Sequence, residues 1–197
     1  LWSLMGLEMS KGMRKDRASM VLETYARTSA EARNAVLAAR TACEALISIA
    51  MAKVDDAGGV SRSNVVSLSR LVAPIADVGH ELDLVVPTQS SLVTDFDKPN
   101  VPRLRGVYHR AQVMASKERP KRIELLHESG RTPFLCKHET NGDLRKDSRM
   151  MEFNAVLNRL FQHDFHARKR ALRLRTYAVV CLNENCGLLE WVEHTQG

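Results

Sequence analysis

The sequence predicts an α+β fold: a helical amino-terminal part, then a five-stranded antiparallel sheet with one long helix between its third and fourth strands. Three observations carry this. First, no Gly or Pro occurs from Met13 to Ala57, and Leu22, Tyr25, Ser29, Ala32, Val36, Ala39, Cys43, Leu46 and Ala50 recur at steps of three and four. That is the stripe of helices packed on other helices. Second, from Val107 the apolar period shifts towards two, as strands require. Third, Asp143–Asp164 returns to helical spacing, with Met150, Phe153, Leu157, Leu160 and Phe161 on one face.

The elements follow in order. Thr28 with Glu31 forms a candidate capping box, which would end one helix near Arg27 and begin another; a single unbroken helix is the alternative. Asp55–Ser63 reads as a loop, and Val65–Val78 as helix with Pro74 as a kink or boundary. Pro87, Pro99 and Pro102, among Ser, Thr and Asp, mark an irregular linker. The expected division is therefore a helical segment over 1–83, a linker over 84–105 and a sheet unit over 106–197. Strands are expected at Gly106–Ala115, Lys121–His127, Thr132–Lys137, Arg175–Leu182 and Gly187–Val192. Asp143 stands at the start of the long helix, where the dipole favours a negative charge.

Composition narrows the class. The net charge is +6, with basic clusters at Lys117–Arg122 and Arg168–Arg175. Neither is interleaved with aromatics, so solvated or phosphate-binding faces are favoured over direct nucleic-acid binding. No unbroken apolar run reaches the ~18 residues of a membrane span. Leu1–Met9 is apolar but lacks a basic n-region and a small-residue cleavage site, so it is not a signal peptide. A first residue that is Leu suggests a piece of a longer polypeptide. Cys181 and Cys186 flank a turn without zinc spacing; Cys43 and Cys136 lie on apolar faces and read as buried thiols. His163 and His166 have no further ligands at metal spacing and read as a solvated helix end.

The chemistry lies in the order of elements. A strand ending in a lysine, an acid-led helix and two apolar strands suit a site for a nucleoside triphosphate. Such a site covers the phosphates with a turn between the first two strands. It aims one lysine from the third strand and holds that lysine with a carboxylate from the neighbouring helix. Here the turn is Ala115–Pro120. It has no glycine, but its main-chain N–H groups, the Ser116 hydroxyl and Lys117 suit phosphate oxygens; an ordinary charged hairpin is the other reading. Lys137 ends the apolar run Pro133-Phe134-Leu135-Cys136. Asp147, one turn into the helix, is the first candidate to orient it and Glu152 the second; either also reads as a solvated acid. Leu188-Leu189-Glu190-Trp191-Val192 would be the hinge to a further lobe. The Val192 N–H and nearby carbonyls would meet an adenine edge, with Trp191 beside the ring. Met114, Leu135, Tyr177 and Leu189 are candidate apolar walls, or sheet core.

At these residues a resemblance becomes specific. Asp143-Leu144-Arg145-Lys146-Asp147, Arg149-Met150-Met151-Glu152-Phe153-Asn154, Arg175-Thr176-Tyr177-Ala178-Val179 and Cys186-Gly187-Leu188-Leu189-Glu190-Trp191-Val192 resemble the phosphoinositide-3-kinase-related protein kinases, ATR branch. Val86-Pro87-Thr88-Gln89-Ser90 is similar to a segment upstream of that kinase domain. Met114–Lys121 is similar to the family's glycine-free phosphate loop. The resemblance is strong over 107–197 and weaker but collinear over 1–90. It implies the end of a helical FAT domain with an FRB-like helical insert, followed by a kinase amino lobe with an αC-type helix.

The resemblance also implies an activity: transfer of the ATP γ-phosphate to Ser or Thr followed by Gln, with Mg2+ or Mn2+ held by a carboxy lobe. Lys137 matches the phosphate-contacting lysine, Asp147 its acid and Ser116 the phosphate-loop serine. Tyr177, Trp191 and Val192 match the adenine pocket and hinge. It implies a nuclear protein in a large dimeric complex with an ATRIP-like partner, reaching single-stranded DNA through replication protein A, without a membrane. There are departures. Six positions separate Lys137 from Asp143 where the family usually has four. No Gly-Asp-Arg-His loop and no Asp-Phe-Asn or Asp-Phe-Gly motif occurs, so no metal ligand is assigned and the chain alone is expected to be inactive. A non-catalytic helical scaffold with a degenerate kinase-like half is the alternative. A lipid kinase of the wider superfamily is a third reading, which the Glu190-Trp191-Val192 hinge disfavours.

Overall fold

The computed structural model describes residues 2, 5, 8, 9, 13–53, 64–78, 82, 84–89 and 101–194. The expected loop Asp55–Ser63 falls wholly outside them, as do residues 90–100 of the expected linker. Two helices open the described chain, α1 (Met13–Ala26) and α2 (Ala30–Met51). The expected break is present, but the cap is Ser29, whose hydroxyl accepts from the Ala32 N–H at 3.0 Å. Thr28 instead donates its hydroxyl back to the Tyr25 carbonyl, closing α1. A Ser in extended conformation one residue nearer the helix reaches the third amide, which is what an N-cap must do.

By length and composition α2 could cross a membrane, yet half of that stretch is buried inside this protein. Its Ala35, Ala38, Ala39, Ala42, Cys43, Leu46 and Ile49 are core residues. The small ones let α1 and α3 (Ser69–Asp77) pack close on it, while its later turns meet the sheet. One cluster of buried side chains runs from Leu22 and Leu46 through Ile75 and Leu104 to Ile123, Phe134 and Leu188. Helical part and sheet therefore share a core. Burial pushes the thiols of Cys43 and Cys136 up to about 12, so neither is a thiolate at neutral pH.

The sheet corrects the expected strand count: among the described residues it has seven antiparallel strands. They are β1 (Val65–Ser67), β2 (Gly106–Val107), β3 (Arg110–Val113), β4 (Lys121–His127), β5 (Gly130–His138), β6 (Val179–Cys181) and β7 (Cys186–Glu190). The order is β1-β3-β4-β5-β7-β6, with β2 also on β4. Two departures make up the difference. Val65–Ser67, expected as helix, pairs with β3, Val66 opposite Ala111; a short apolar run carries no period that separates strand from helix. Gly106–Ala115, expected as one strand, breaks at Tyr108 and His109. Val107 faces Leu125 and Gln112 faces Arg122, so the β2–β3 stretch carries two more residues than the strand opposite. This bulge turns β3 so that its outer edge accepts β1. Arg175–Ala178, expected within the fourth strand, precedes β6.

After β5 come α4 (Arg145–His163) and a short α5 (Phe165–Lys169), capped by Asp164 at the Ala167 N–H. Asp143 lies just before α4. It accepts from the Arg145 N–H at 3.0 Å and from the Arg145 guanidinium at 2.7 Å, which lowers its carboxyl pKa. The expected common face of α4 is not core in this chain, since Met150, Phe153 and Leu160 are more than half exposed.

Candidate active site

Strand alternation sorts the site residues before any side chain is considered. On β5, Phe134 and Cys136 point to the α2 core and are fully buried, so Leu135 and Lys137 belong to the opposite, open face. Register carries this across the sheet. Leu135 is opposite Leu189 of β7 and Arg122 of β4, and Lys137 is opposite Gly187. Leu135, Lys137, Leu189 and Arg122 thus share one surface. Crowding requires glycine opposite Lys137: a Cβ on Gly187 would stand 2.6 Å from the Val180 carbonyl and 3.2 Å from Leu144 Cδ1.

Lys137 Nζ lies 4.0 Å from Asp147 Oδ2 and closer still to Glu139 Oε1. The strand and the first turn of α4 therefore converge on one ammonium. Glu152 does not take part; its carboxylate pairs with Arg149 at 3.5 Å on the exposed side of α4. Sequence reasoning missed Glu139. The signal was available: it follows Lys137 by two residues, just past the end of β5, where a carboxylate can turn back to the same ammonium. Arg122 was missed as well. Its guanidinium carbon stands 5.2 Å from the Trp191 ring centroid, a cation–π contact on the flank expected to stack on a base.

Glu190 points away from this surface. Opposite Phe134 in register, its carboxylate accepts from the Gln89 N–H at 2.8 Å and the Ala178 N–H at 2.9 Å. Any contact of Glu190 with a base falls to its main chain. The Trp191 N–H is used in the sheet, donating to the Pro133 carbonyl at 3.2 Å. Val192 follows, half-buried, and Tyr177 is half-buried in the stretch before β6.

The Ala115–Pro120 turn is closed by its own main chain. Met114 N–H donates to the Pro120 carbonyl at 2.9 Å, and Arg119 at φ 44° donates to Ser116. Ser116 and Lys117 are exposed, and no contact joins them to Lys137 among the described residues. Met114, Ala115, Ser116 and Arg119, with Asn64 and Val113, line a cavity of about 450 Å³. Glu118 reaches from this turn to the loop after β5 and accepts from the Thr140 hydroxyl at 2.8 Å, which lowers its carboxyl pKa.

The placement of Asp147 depends on the turn between β6 and β7. Asn183 Oδ1 accepts from the N–H groups of Asn185 and Cys186 at 2.9 and 2.6 Å, which fixes the turn. Asn185 Nδ2 then donates to the Glu139 and Gly142 carbonyls, each at 3.1 Å. Its own carbonyl accepts from the Glu139 N–H at 2.7 Å, and the Glu184 carbonyl from the Leu144 N–H at 3.1 Å. The lead-in to α4 is thereby fastened to the sheet at both ends. Asn185→Ala leaves two half-buried carbonyls without their donor and is expected to lower stability by about 1–3 kcal/mol. Amide exchange at Leu144 should rise with it; an unchanged urea midpoint and unchanged Leu144 protection would remove Asn185 from this role.

Known proteins share this fold. A family model described as phosphatidylinositol 3- and 4-kinase matches residues 131–196. The serine/threonine-protein kinase ATR of Arabidopsis thaliana is 38% identical over 157 residues, covering 71% of this chain and 6% of that protein. Protein kinase rad3 of Schizosaccharomyces pombe is 36% identical over 128 residues, covering 58% of this chain and 5% of that protein. The structure of the open conformation of CtTel1 superposes with a TM-score of 0.79 at 18% identity, over 98% of this chain and 8% of that one. At that identity the superposition shows the fold. The chain spans about 6% of the length of the Arabidopsis relative. The 71% share exceeds what the sheet unit alone contains, so the likeness reaches into the helical part. On these similarities, with the strand lysine and the Arg-Lys-Asp helix placed as described, the chain belongs to the phosphoinositide-3-kinase-related kinase family, on its ATR branch.

Proposed function

We propose that this chain supplies the nucleotide-holding amino lobe, and the helices packed behind it, of a serine/threonine protein kinase that phosphorylates Ser/Thr-Gln sites in DNA-damage and replication-stress signalling. The observation that carries the reading is the convergence of Lys137 and Asp147, 4.0 Å apart, beside the Leu135–Leu189 pair. The donor set suits ATP: an apolar surface for a flat base, and a cation at its edge for phosphates. Bound ATP would supply the phosphoryl group that is transferred. Lys137 would hold the phosphates, Asp147 would orient Lys137, and Leu135, Leu189 and Trp191 would exclude water around the base. Glu139 holds Lys137 until phosphate oxygens replace it. The catalytic loop and the metal ligands belong to motifs absent from these 197 residues, so the chain by itself would be catalytically silent. In the cell we place the parent kinase in the nucleus, with an ATRIP-like partner and replication protein A on single-stranded DNA.

The test uses the full-length kinase that carries this segment. With ATP and Mg2+ or Mn2+, it should phosphorylate a Ser-Gln peptide and leave its Ser-Ala counterpart at least about ten-fold less modified. Equal use of both peptides, or phosphorylation of an inositol lipid in their place, would refute the substrate class.

A further inference from the structure

Lys121 is the first residue of β4, directly after the Ala115–Pro120 turn, and it is 4% exposed. In register with Cys136, it points away from the open face and into the core. Its ammonium donates to the Ala50 carbonyl at 2.8 Å. That carbonyl is in the last turn of α2, among those a helix leaves without an intrahelical partner. Cys136 makes the companion contact, its Sγ 3.4 Å from the Leu46 carbonyl one helical turn earlier. Two carbonyls four residues apart on α2 are thus gripped by two register partners on adjacent strands. One partner adjoins the phosphate turn; the other precedes Lys137.

Stability alone does not account for a lysine here. Removing an ammonium from water is costly, and burial lowers the Lys121 pKa accordingly. An apolar side chain of similar volume commonly serves a core at least as well. What the lysine adds is a directional bond between the end of α2 and the base of the turn, whose Pro120 carbonyl closes onto Met114.

We propose that Lys121 is a positioning residue: it couples the carboxy-terminal end of α2 to the phosphate turn, so that displacement of α2 shifts Ser116 and Lys117 relative to Lys137. This rests on the reading of Ala115–Pro120 as the turn that covers nucleotide phosphates. The expected signature is selective. In the 197-residue chain, Lys121→Met should raise amide exchange at Met114, Ser116 and Arg119 about ten-fold and leave Leu182 and Glu190, on the far side of the sheet, unchanged. Lys121→Gln, which keeps a donor of similar reach, should restore most of the protection. In the full-length kinase, Lys121→Met should raise the KM for ATP about five-fold or more with kcat within about two-fold, and Lys121→Gln should reverse this. Uniform acceleration across the sheet, no acceleration at the turn, an unaltered KM, or failure of both variants to fold would each make Lys121 merely structural and overturn the proposal. If the exchange pattern appears in a parent protein that transfers no phosphate, the coupling stands and the kinase reading fails.

Discussion

Lys137→Ala in the full-length kinase is expected to cut kcat/KM for peptide phosphorylation by at least about a hundred-fold while the protein stays folded. Lys137 is partly exposed and contributes no core packing, so the loss should be chemical. Of the other cations on the open face, Arg122 is committed to the Trp191 ring and to Glu124 at 3.7 Å, and Arg131 to Glu124 at 3.3 Å and the Tyr108 ring, while Arg110 lies two strands away on β3. Asp147→Asn should cost less than Lys137→Ala, because an amide can still accept a hydrogen bond from the ammonium. Glu139→Gln should cost least and lower the KM for ATP, since it removes a competitor for the same ammonium. A folded Lys137→Ala enzyme with wild-type activity would remove this lysine from its assigned role, and a Glu152→Gln loss exceeding that of Asp147→Asn would exchange the two acids.

The largest expected effect on stability belongs to Phe134→Ala. Phe134 is fully buried, opposite Ile123 and Glu190 in register, on the sheet face that meets α2. Truncation removes the aromatic ring and leaves a cavity that rigid strands cannot close, at about 3–5 kcal/mol. For a chain of this size that is a fall in melting temperature on the order of 10 °C. The form of the transition is as informative as its midpoint. Because one core joins α2 to the sheet, helix dichroism and tryptophan emission should shift together. Trp2, bonded to the Val85 carbonyl at 2.8 Å, and Trp191 report from opposite ends of the chain. Helix signal persisting after the sheet has melted would show two independent cores.

What could be read from the sequence was what periodicity and local chemistry encode. The α2 stripe, the β4–β5 hairpin and the break after Arg27 need only neighbouring residues. The Lys137–Asp147 pairing was legible because strand end and helix start are close along the chain. Glu190 falls within the expected adenine hinge, but the direction of its side chain depends on pairing with Phe134, which no local pattern states. Lys121 was hidden within a basic cluster that reads as solvated. Lys117 and Arg119 are indeed exposed, but alternation along β4 turns Lys121 inwards. Val65–Ser67 was lost because three residues carry no period, and the β2–β3 bulge because two inserted residues leave the apolar spacing almost intact.

The fastening of the α4 lead-in has an evolutionary corollary. Asn185 and its neighbours grip main-chain groups of Glu139, Gly142 and Leu144, and those groups are the same whatever side chains the segment bears. Such a clasp is blind to sequence. The length of the segment between its two ends is therefore set less by the clasp than by side-chain contacts such as Thr140 with Glu118. That is how a lead-in of altered length can be tolerated while the helix it delivers still starts beside Lys137.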